Sequence, residues 1–205
     1  TSMNLSSRWC VTAVVALGAV ACSDPVLPAS QGALIVTVQS NSPAPSGKSC
    51  PIGASTTFDV PNVDPKLIPS EVLDDDTYLH WNVDGQANSS VSCTVKGGSG
   101  GYQFSARVSG QTLNGKGTME ITDGVLDGSG KGTATISFAS TATAGPFSPM
   151  SSPKGACTVD AAKGTGNHQV QGGSMWASFV CSSIEAQPTD YCKARGVFVL
   201  ENCAQ

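Results

Sequence analysis

The reactive side chains of this sequence are most concentrated in residues 71–85, EVLDDDTYLHWNVDG, where the acidic run Asp74–Asp76 precedes His80. Calcium binds six to eight oxygen ligands, so an aspartate-rich loop beside a sheet is a candidate calcium site. However, the spacing matches no known calcium loop, and the run contains no glycine. A solvated acidic loop is the simpler interpretation, and we predict no metal site.

Catalytic groupings are absent from the rest of the sequence. The two histidines, His80 and His168, are far apart, and neither has Cys, His or carboxylate partners at ligand spacing. No HExxH, GxSxG or phosphate-binding loop occurs. We therefore expect a protein that is not an enzyme and needs no cofactor. An enzyme of unfamiliar type that uses Asp74–Asp76 and His80 is the alternative.

Composition narrows the class of partner. The chain has 205 residues, a net charge of −4 and only 13% charged residues. Its 11 Lys and Arg residues are spread along the chain, so we expect neither a nucleic-acid partner nor a polybasic membrane patch. The length suits one domain preceded by a leader.

The leader is predicted at residues 1–21, with translation starting at Met3. An uncharged, mostly apolar run, Val11–Ala21, follows Arg8 and is too short for a transmembrane helix. Ala19-Val20-Ala21 provides an A-x-A cleavage site for signal peptidase, which makes plain secretion one interpretation.

The sequence LGAVAC, which ends at Cys22, resembles a bacterial lipobox. This resemblance implies cleavage before Cys22, acylation of its sulfur and a membrane partner through that N-terminal lipid anchor. Ser23 stands where an aspartate would retain an enterobacterial lipoprotein in the inner membrane, so the resemblance favours the outer membrane. Residues 22–32 are polar and contain prolines, as expected of a lipidated tether.

Cysteine arithmetic agrees with lipidation. The chain has eight cysteines, of which Cys10 would leave with the leader and Cys22 would be acylated. An even number then remains, which suits three disulfides in an oxidising compartment: Cys50, Cys93, Cys157, Cys181, Cys192 and Cys203. Sequence does not fix their pairing. We expect Cys192–Cys203, because these two flank the last strand, together with Cys157–Cys181 and Cys50–Cys93.

Residues 33–205 are predicted to form a single β domain. The segments YQFSARVS (102–109) and TATISF (133–138) alternate apolar and polar residues, which is typical of half-buried antiparallel strands. GGSGG (97–101) and the two Asp-Gly pairs of TDGVLDGSG (122–130) indicate turns. GKGTMEI (115–121) and GKGTATI (130–136) resemble each other, and we interpret them as neighbouring strands. One short helix is expected at residues 189–194.

The predicted fold is all-β, an antiparallel sandwich of jelly-roll or immunoglobulin-like type, with a small barrel as alternative. Candidate ligand-binding aromatics are Trp176, Trp81 and Tyr78, because β-sandwich carbohydrate-binding modules stack sugars on exposed rings. If Ala177 and Phe179 belong to the core, Trp176 points outward.

The motifs LGAVAC, MWASFVC and ENC make the chain similar to envelope lipoproteins of soil δ-proteobacteria such as myxobacteria. This resemblance implies a location and a fold but no reaction. We expect an envelope lipoprotein with a non-enzymatic binding or structural role whose partner is a glycan or an envelope protein. The alternative is a carbohydrate-binding module that uses exposed aromatics.

Overall fold

The computed structural model describes residues 27–41, 43–52, 56–60, 82–112, 115–141, 147–161 and 169–205. Within these ranges the chain forms twelve strands and no helix, and thus no helix that could cross a membrane. The strands are β1 (Gln31–Ser40), β2 (Thr56–Val60), β3 (Asn82–Val83), β4 (Ser90–Gly98), β5 (Gly101–Thr112), β6 (Gly115–Asp127), β7 (Lys131–Ser140), β8 (Phe147–Ser151), β9 (Cys157–Asp160), β10 (Gln169–Gln171), β11 (Ser174–Ile184) and β12 (Cys192–Glu201).

These strands form one antiparallel sheet, in the order β2-β1-β12-β11-β9-β7-β6-β5-β4. The short strands β3, β8 and β10 pair with β1, β7 and β11, respectively. The sheet curls so that β4 and β5 approach β1. A Cβ atom placed on Gly32 of β1 would lie 2.6 Å from Val108 Cγ2 and 3.4 Å from Val91 Cγ1. The predicted all-β class is confirmed, and the nearly closed sheet is compatible with both a sandwich and a barrel.

Alternate side chains along the strands fill the interior. The alternation predicted for β5 and β7 is confirmed by the buried residues Phe104, Ala106, Val108, Ala134, Ile136 and Phe138. The Phe198 ring centroid lies 6.1 Å from that of Phe104 and 6.2 Å from that of Phe179. Because β12 and β5 are well separated in the strand order, the Phe104–Phe198 contact joins opposite sides of the curled sheet.

The predicted turn at residues 97–101 and the predicted pair of neighbouring strands are both confirmed. Gly98 pairs with Gly101, which leaves only Ser99 and Gly100 in the turn between β4 and β5. The two similar segments lie largely in β6 and β7, which are neighbours, and Ile121 pairs with Ile136.

The turn predicted within TDGVLDGSG is present, and the Asp123-Gly124 pair ahead of it lies inside β6. The pairing register shifts between Thr122 and Val125, and Asp123 has a φ of 52°. This pattern is a β-bulge, which inserts an extra residue and sharpens the local bend of a strand. The chain reverses instead at the second pair, Asp127-Gly128.

Three disulfides are present, but two of the expected pairings are wrong. Cys157–Cys181 is confirmed, whereas Cys50 pairs with Cys192 and Cys93 pairs with Cys203. Cys192 begins β12 and Cys203 follows its end, so about 33 Å of extended strand separates them. A disulfide needs Cα atoms within about 7 Å, which an intervening strand rules out. Three such bridges indicate an oxidising, non-cytoplasmic environment.

The expected helix at residues 189–194 is wrong as well. Pro188 and Thr189 lie in a turn, and β12 begins at Cys192. The buried Asp190 holds this turn, because its Oδ2 accepts hydrogen bonds from the backbone N–H groups of Ala186 at 3.0 Å and Gln187 at 2.8 Å. These bonds fix the turn, and pairing with β1 extends the residues that follow.

Candidate functional site

A groove of about 790 Å³ lies at the end of the sheet where β1 begins and β12 ends. Its walls are formed by Leu27–Ser30 ahead of β1, Asp84 after β3, the β10–β11 hairpin and the C-terminal residues Glu201–Gln205. These segments come from distant parts of the sequence, so only the folded chain brings them together.

The C-terminal wall is held against β4. Cys203 forms the disulfide with Cys93, and Ala204 N–H donates to the Cys93 carbonyl oxygen at 3.0 Å. In return, Val95 N–H donates to the Ala204 carbonyl oxygen at 2.9 Å. One covalent bond and two backbone hydrogen bonds thus position a tail that would otherwise leave the sheet after β12.

The N-terminal wall is attached to the same tail. Ser30 Oγ donates to the Asn202 carbonyl oxygen at 3.0 Å, and Asn202 Nδ2 donates to the Ala29 carbonyl oxygen at 3.0 Å. Asp84 N–H donates to the Ser30 carbonyl oxygen at 2.9 Å. The segment entering β1 is therefore fixed at the groove from both sides.

The hairpin wall depends on two glycines, Gly172 and Gly173. Gly173 has a φ of +83°, and a Cβ atom there would lie 2.9 Å from Gln205 Nε2. The Gln205 side chain crosses this turn and donates to the Gly172 carbonyl oxygen at 3.2 Å. A side chain at position 173 would be strained and would displace Gln205.

Three polar side chains in the groove are available for a ligand. Gln169 and Gln171 are exposed, and Glu201 is half-buried. Among the described residues, no hydrogen bond or ion pair engages any of these three side chains. An amide supplies both donors and acceptors, and a carboxylate supplies acceptors, so together they can bind the hydroxyl groups of a ligand.

The groove is electrostatically one-sided. Among the described residues that line it, the charged side chains, Asp84 and Glu201, are both acidic, and none is Lys, Arg or His. Asp84 Oδ1 accepts a hydrogen bond from Val91 N–H at 3.0 Å, which orients that carboxylate. Uncompensated carboxylates repel anions, so the groove favours a neutral or cationic ligand.

Trp176 flanks the groove on the same face of the sheet. It pairs with Gln169 across β11 and β10, while Ser174 pairs with Gln171. Residues two positions apart on a strand share a face and are about 6.6 Å apart, so Trp176 lies next to the groove residue Ser174. The Trp176 side chain is half-buried and packs against three apolar residues, Ala33, Ile35 and Val199.

The core faces the opposite way along β11. Ala177, Phe179 and Cys181 are buried in the main core, which puts Trp176 on the outer face. Exposed large hydrophobic side chains in the described residues are Leu27, Val125 and Val180. An extended row of exposed aromatics is therefore not found in the part of the chain that the structure describes.

The other predicted site residues lie outside the described ranges. They are Cys22, Tyr78 and Trp81, together with Asp74–Asp76 and both histidines. Within the described ranges, no group of three or more His, Cys, Asp or Glu side chains is placed to hold a metal ion.

Sequence reasoning missed the groove residues Gln169, Gln171, Glu201 and Gln205. The segment QVQGG (169–173) does carry a signal, since two glutamines on one strand face precede a Gly-Gly turn. Nothing in the sequence, however, places that face beside the C-terminal tail.

No protein family, curated protein or solved structure matches the chain. The candidate site therefore has to be interpreted from its own chemistry.

Proposed function

We propose that this protein is a non-enzymatic binding protein of the bacterial cell envelope, anchored by acyl chains on Cys22 and binding its ligand in the groove. The single observation that carries the binding role is the groove itself. It holds about 790 Å³ and presents Gln169, Gln171 and Glu201 without hydrogen-bond partners in the described residues. Ligand sites are typically preformed concave surfaces of this size with a few convergent polar groups.

The envelope location is supported by two independent features. The lipobox-like LGAVAC predicts acylation at Cys22. Three disulfides favour export, because cytosolic reductants keep thiols reduced. Two or more acyl chains would hold the protein at a membrane stably, whereas a single chain would not. Ser23, where an aspartate would retain an enterobacterial lipoprotein in the inner membrane, favours the outer membrane.

The anchor is tested by mass spectrometry of the mature N-terminus, with and without globomycin in the producing cells. We expect an N-terminal peptide that begins at diacylated or triacylated Cys22, and accumulation of the uncleaved precursor in globomycin. A Cys22→Ser variant is the control and should yield no acylated peptide. An unmodified mature N-terminus in untreated cells would exclude the anchor.

Carbohydrate binding is the second candidate, favoured by one further observation. Trp176 flanks the groove on the face that carries Gln169 and Glu201. Sugars present apolar CH faces together with hydroxyl groups, so one aromatic side chain beside amides and a carboxylate matches them. This arrangement differs from a flat aromatic platform, because it combines one ring with a polar groove.

Isothermal titration with a panel of neutral and amine-bearing oligosaccharides tests this candidate. Trp176→Ala and Gln169→Ala should each weaken any binding about tenfold, which corresponds to about 1.4 kcal/mol. Gln103→Ala is the matched control, because Gln103 is an exposed glutamine on β5, outside the groove. Equal affinities for Gln169→Ala and Gln103→Ala would remove the groove from consideration.

A further inference from the structure

We propose that the groove faces the membrane that carries the anchor and binds an uncharged or amine-bearing sugar headgroup on that membrane. The inference depends on acylation of Cys22, which belongs to the proposed function. It goes beyond that function by assigning an orientation to the domain and a membrane-borne ligand to its groove.

The orientation of the groove towards the membrane follows from the short chain between Cys22 and Leu27. Leu27 lies in the groove wall, and only five residue steps separate it from Cys22. A chain extends at most about 3.6 Å per residue, so these steps reach no further than about 18 Å in any conformation. The Leu27 Cα atom must therefore stay within about 18 Å of the Cα atom of the acylated cysteine.

Hydrogen bonds hold this wall to the domain, so the linking chain cannot lengthen by unpeeling from it. Ala29 and Ser30 are hydrogen-bonded to Asn202 through two contacts of 3.0 Å, so the segment cannot peel away without breaking both. The opposite end of the domain contains the Cys50–Cys192 disulfide. It lies one length of β1 away, which is about 33 Å for ten residues at about 3.3 Å per residue. The anchor thus holds one end of the domain, and that end contains the groove.

Leu27 provides a second observation. Leu27 is 85% exposed, more than the other exposed large hydrophobic residues of the described ranges, Val125 and Val180. An apolar side chain at the groove wall, five residues from an acylated cysteine, gains free energy by entering the membrane interface. Burial of this side chain in the interface would favour the orientation in which the groove faces the bilayer.

The charge of the groove selects among headgroups. In the described part of the lining, Asp84 and Glu201 are the charged residues, and these two carboxylates would repel a phosphate-terminated anionic headgroup. Hydroxyl groups and a protonated amine are compatible with the free amides and with Glu201. A neutral sugar or an amino sugar on a lipid has this chemistry.

Förster transfer to dansyl-labelled headgroups tests the orientation, using the acylated full chain in phosphatidylcholine vesicles. Trp81→Phe leaves Trp176 as the only tryptophan of the mature chain. The matched reporter is a triple variant, Trp81→Phe, Trp176→Phe and Tyr191→Trp. Its single tryptophan lies at the opposite end of the domain, because Tyr191 adjoins Cys192. We expect transfer from Trp176 to be several-fold more efficient than from a tryptophan at position 191. Equal transfer, or stronger transfer from position 191, overturns the orientation.

If a variant fails to fold, hydrogen exchange of the acylated wild-type chain tests the orientation without any substitution. Vesicle attachment should protect amides of residues 27–30 and 169–174 but not those of residues 185–191. An unacylated Cys22 would show that the proposed function has failed. An acylated chain protected at residues 185–191 instead would show that only the orientation is wrong.

The ligand class is tested in the same vesicles by adding one lipid at a time, with a glucosyl, galactosyl or glucosaminyl headgroup. At least one should increase protection at residues 169–174 and 201–205 beyond that in phosphatidylcholine, and phosphatidylglycerol should not. No increase with any of the three sugars, or an increase with phosphatidylglycerol, overturns the ligand assignment.

Discussion

Cys203, in the C-terminal tail, is bonded to Cys93, in the edge strand β4, and this disulfide closes the wall of the groove. The bond joins two segments of the chain that lie 110 residues apart in sequence. It also keeps Ala204 in place to exchange backbone hydrogen bonds with Cys93 and Val95. The geometry of the groove is therefore coupled to the oxidation state of one cysteine pair.

Replacing both Cys93 and Cys203 by alanine should lower the free energy of unfolding by about 2–5 kcal/mol and release the tail. Hydrogen exchange at Val95 and Ala204 measures the release, because their amides would lose protection along with the wall. The double replacement of Cys157 and Cys181 is the control, since that pair links β9 to β11 outside the groove wall. Equal protection at Ala204 in both variants would contradict the coupling.

Gly196 of β12 should tolerate no side chain. A Cβ atom there would lie 2.1 Å from the Ile35 carbonyl oxygen and 2.8 Å from the Phe179 ring. We expect Gly196→Ala to destabilise the protein by about 1–3 kcal/mol through overpacking, measured by urea unfolding. Gly128→Ala is the control, because nothing lies within 4 Å of its Cβ position. A Gly196→Ala variant as stable as Gly128→Ala would refute this close packing.

Asp127 should give the stability a dependence on acidic pH. The carboxylate accepts hydrogen bonds from Ser129 Oγ at 2.6 Å and from the backbone N–H groups of Ser129 at 2.8 Å and Lys131 at 3.1 Å. These bonds, with the Ser129 hydroxyl contributing most, hold the pKa of Asp127 below its usual value of 3.8.

A lowered pKa in the folded state means that the unfolded chain binds the proton first as the pH falls. The stabilisation from Asp127 is thus complete above pH 3.8 and is lost as the pH falls through the folded pKa. Melting temperatures of wild type and Asp127→Asn, compared from neutral pH downward, should differ at neutral pH and converge in acid. A difference that stays constant with pH would show that protonation of Asp127 is not linked to folding.

Local sequence patterns predicted much of the strand content, because alternation is set within a few residues. Phe104 and Phe138 lie on the faces that the alternation indicated. Patterns of this kind do not say which strands meet. The pairing of Cys93 with Cys203 depends on where the tail after β12 lies, and that depends on the closure of the whole sheet.

The helix expected near Thr189 shows a second limit. Pro188 is compatible with the first turn of a helix, but the carboxylate of Asp190 instead accepts the amides of Ala186 and Gln187. Tertiary pairing then extends β12 from Cys192. The groove escaped prediction for the same reason, because Gln171 and Glu201 belong to different strands and meet only in the folded sheet.

Asp190 should be among the most sensitive polar residues of the domain. Its side chain is buried, and Oδ2 accepts two backbone hydrogen bonds, of 3.0 Å and 2.8 Å, which leaves both donors unsatisfied if the carboxylate is removed. The two donors are partly exposed, so water can replace part of each bond, and Asp190→Ala should destabilise the protein by about 1–2 kcal/mol in urea unfolding. Asp190→Asn keeps one acceptor oxygen and should recover part of the loss. Glu120→Ala is the exposed control, since Glu120 lies on β6 with no hydrogen bond or ion pair among the described residues, and it should cost less than about 0.5 kcal/mol. If Asp190→Ala and Glu120→Ala unfold at the same urea concentration, the turn at residues 186–190 does not depend on this carboxylate.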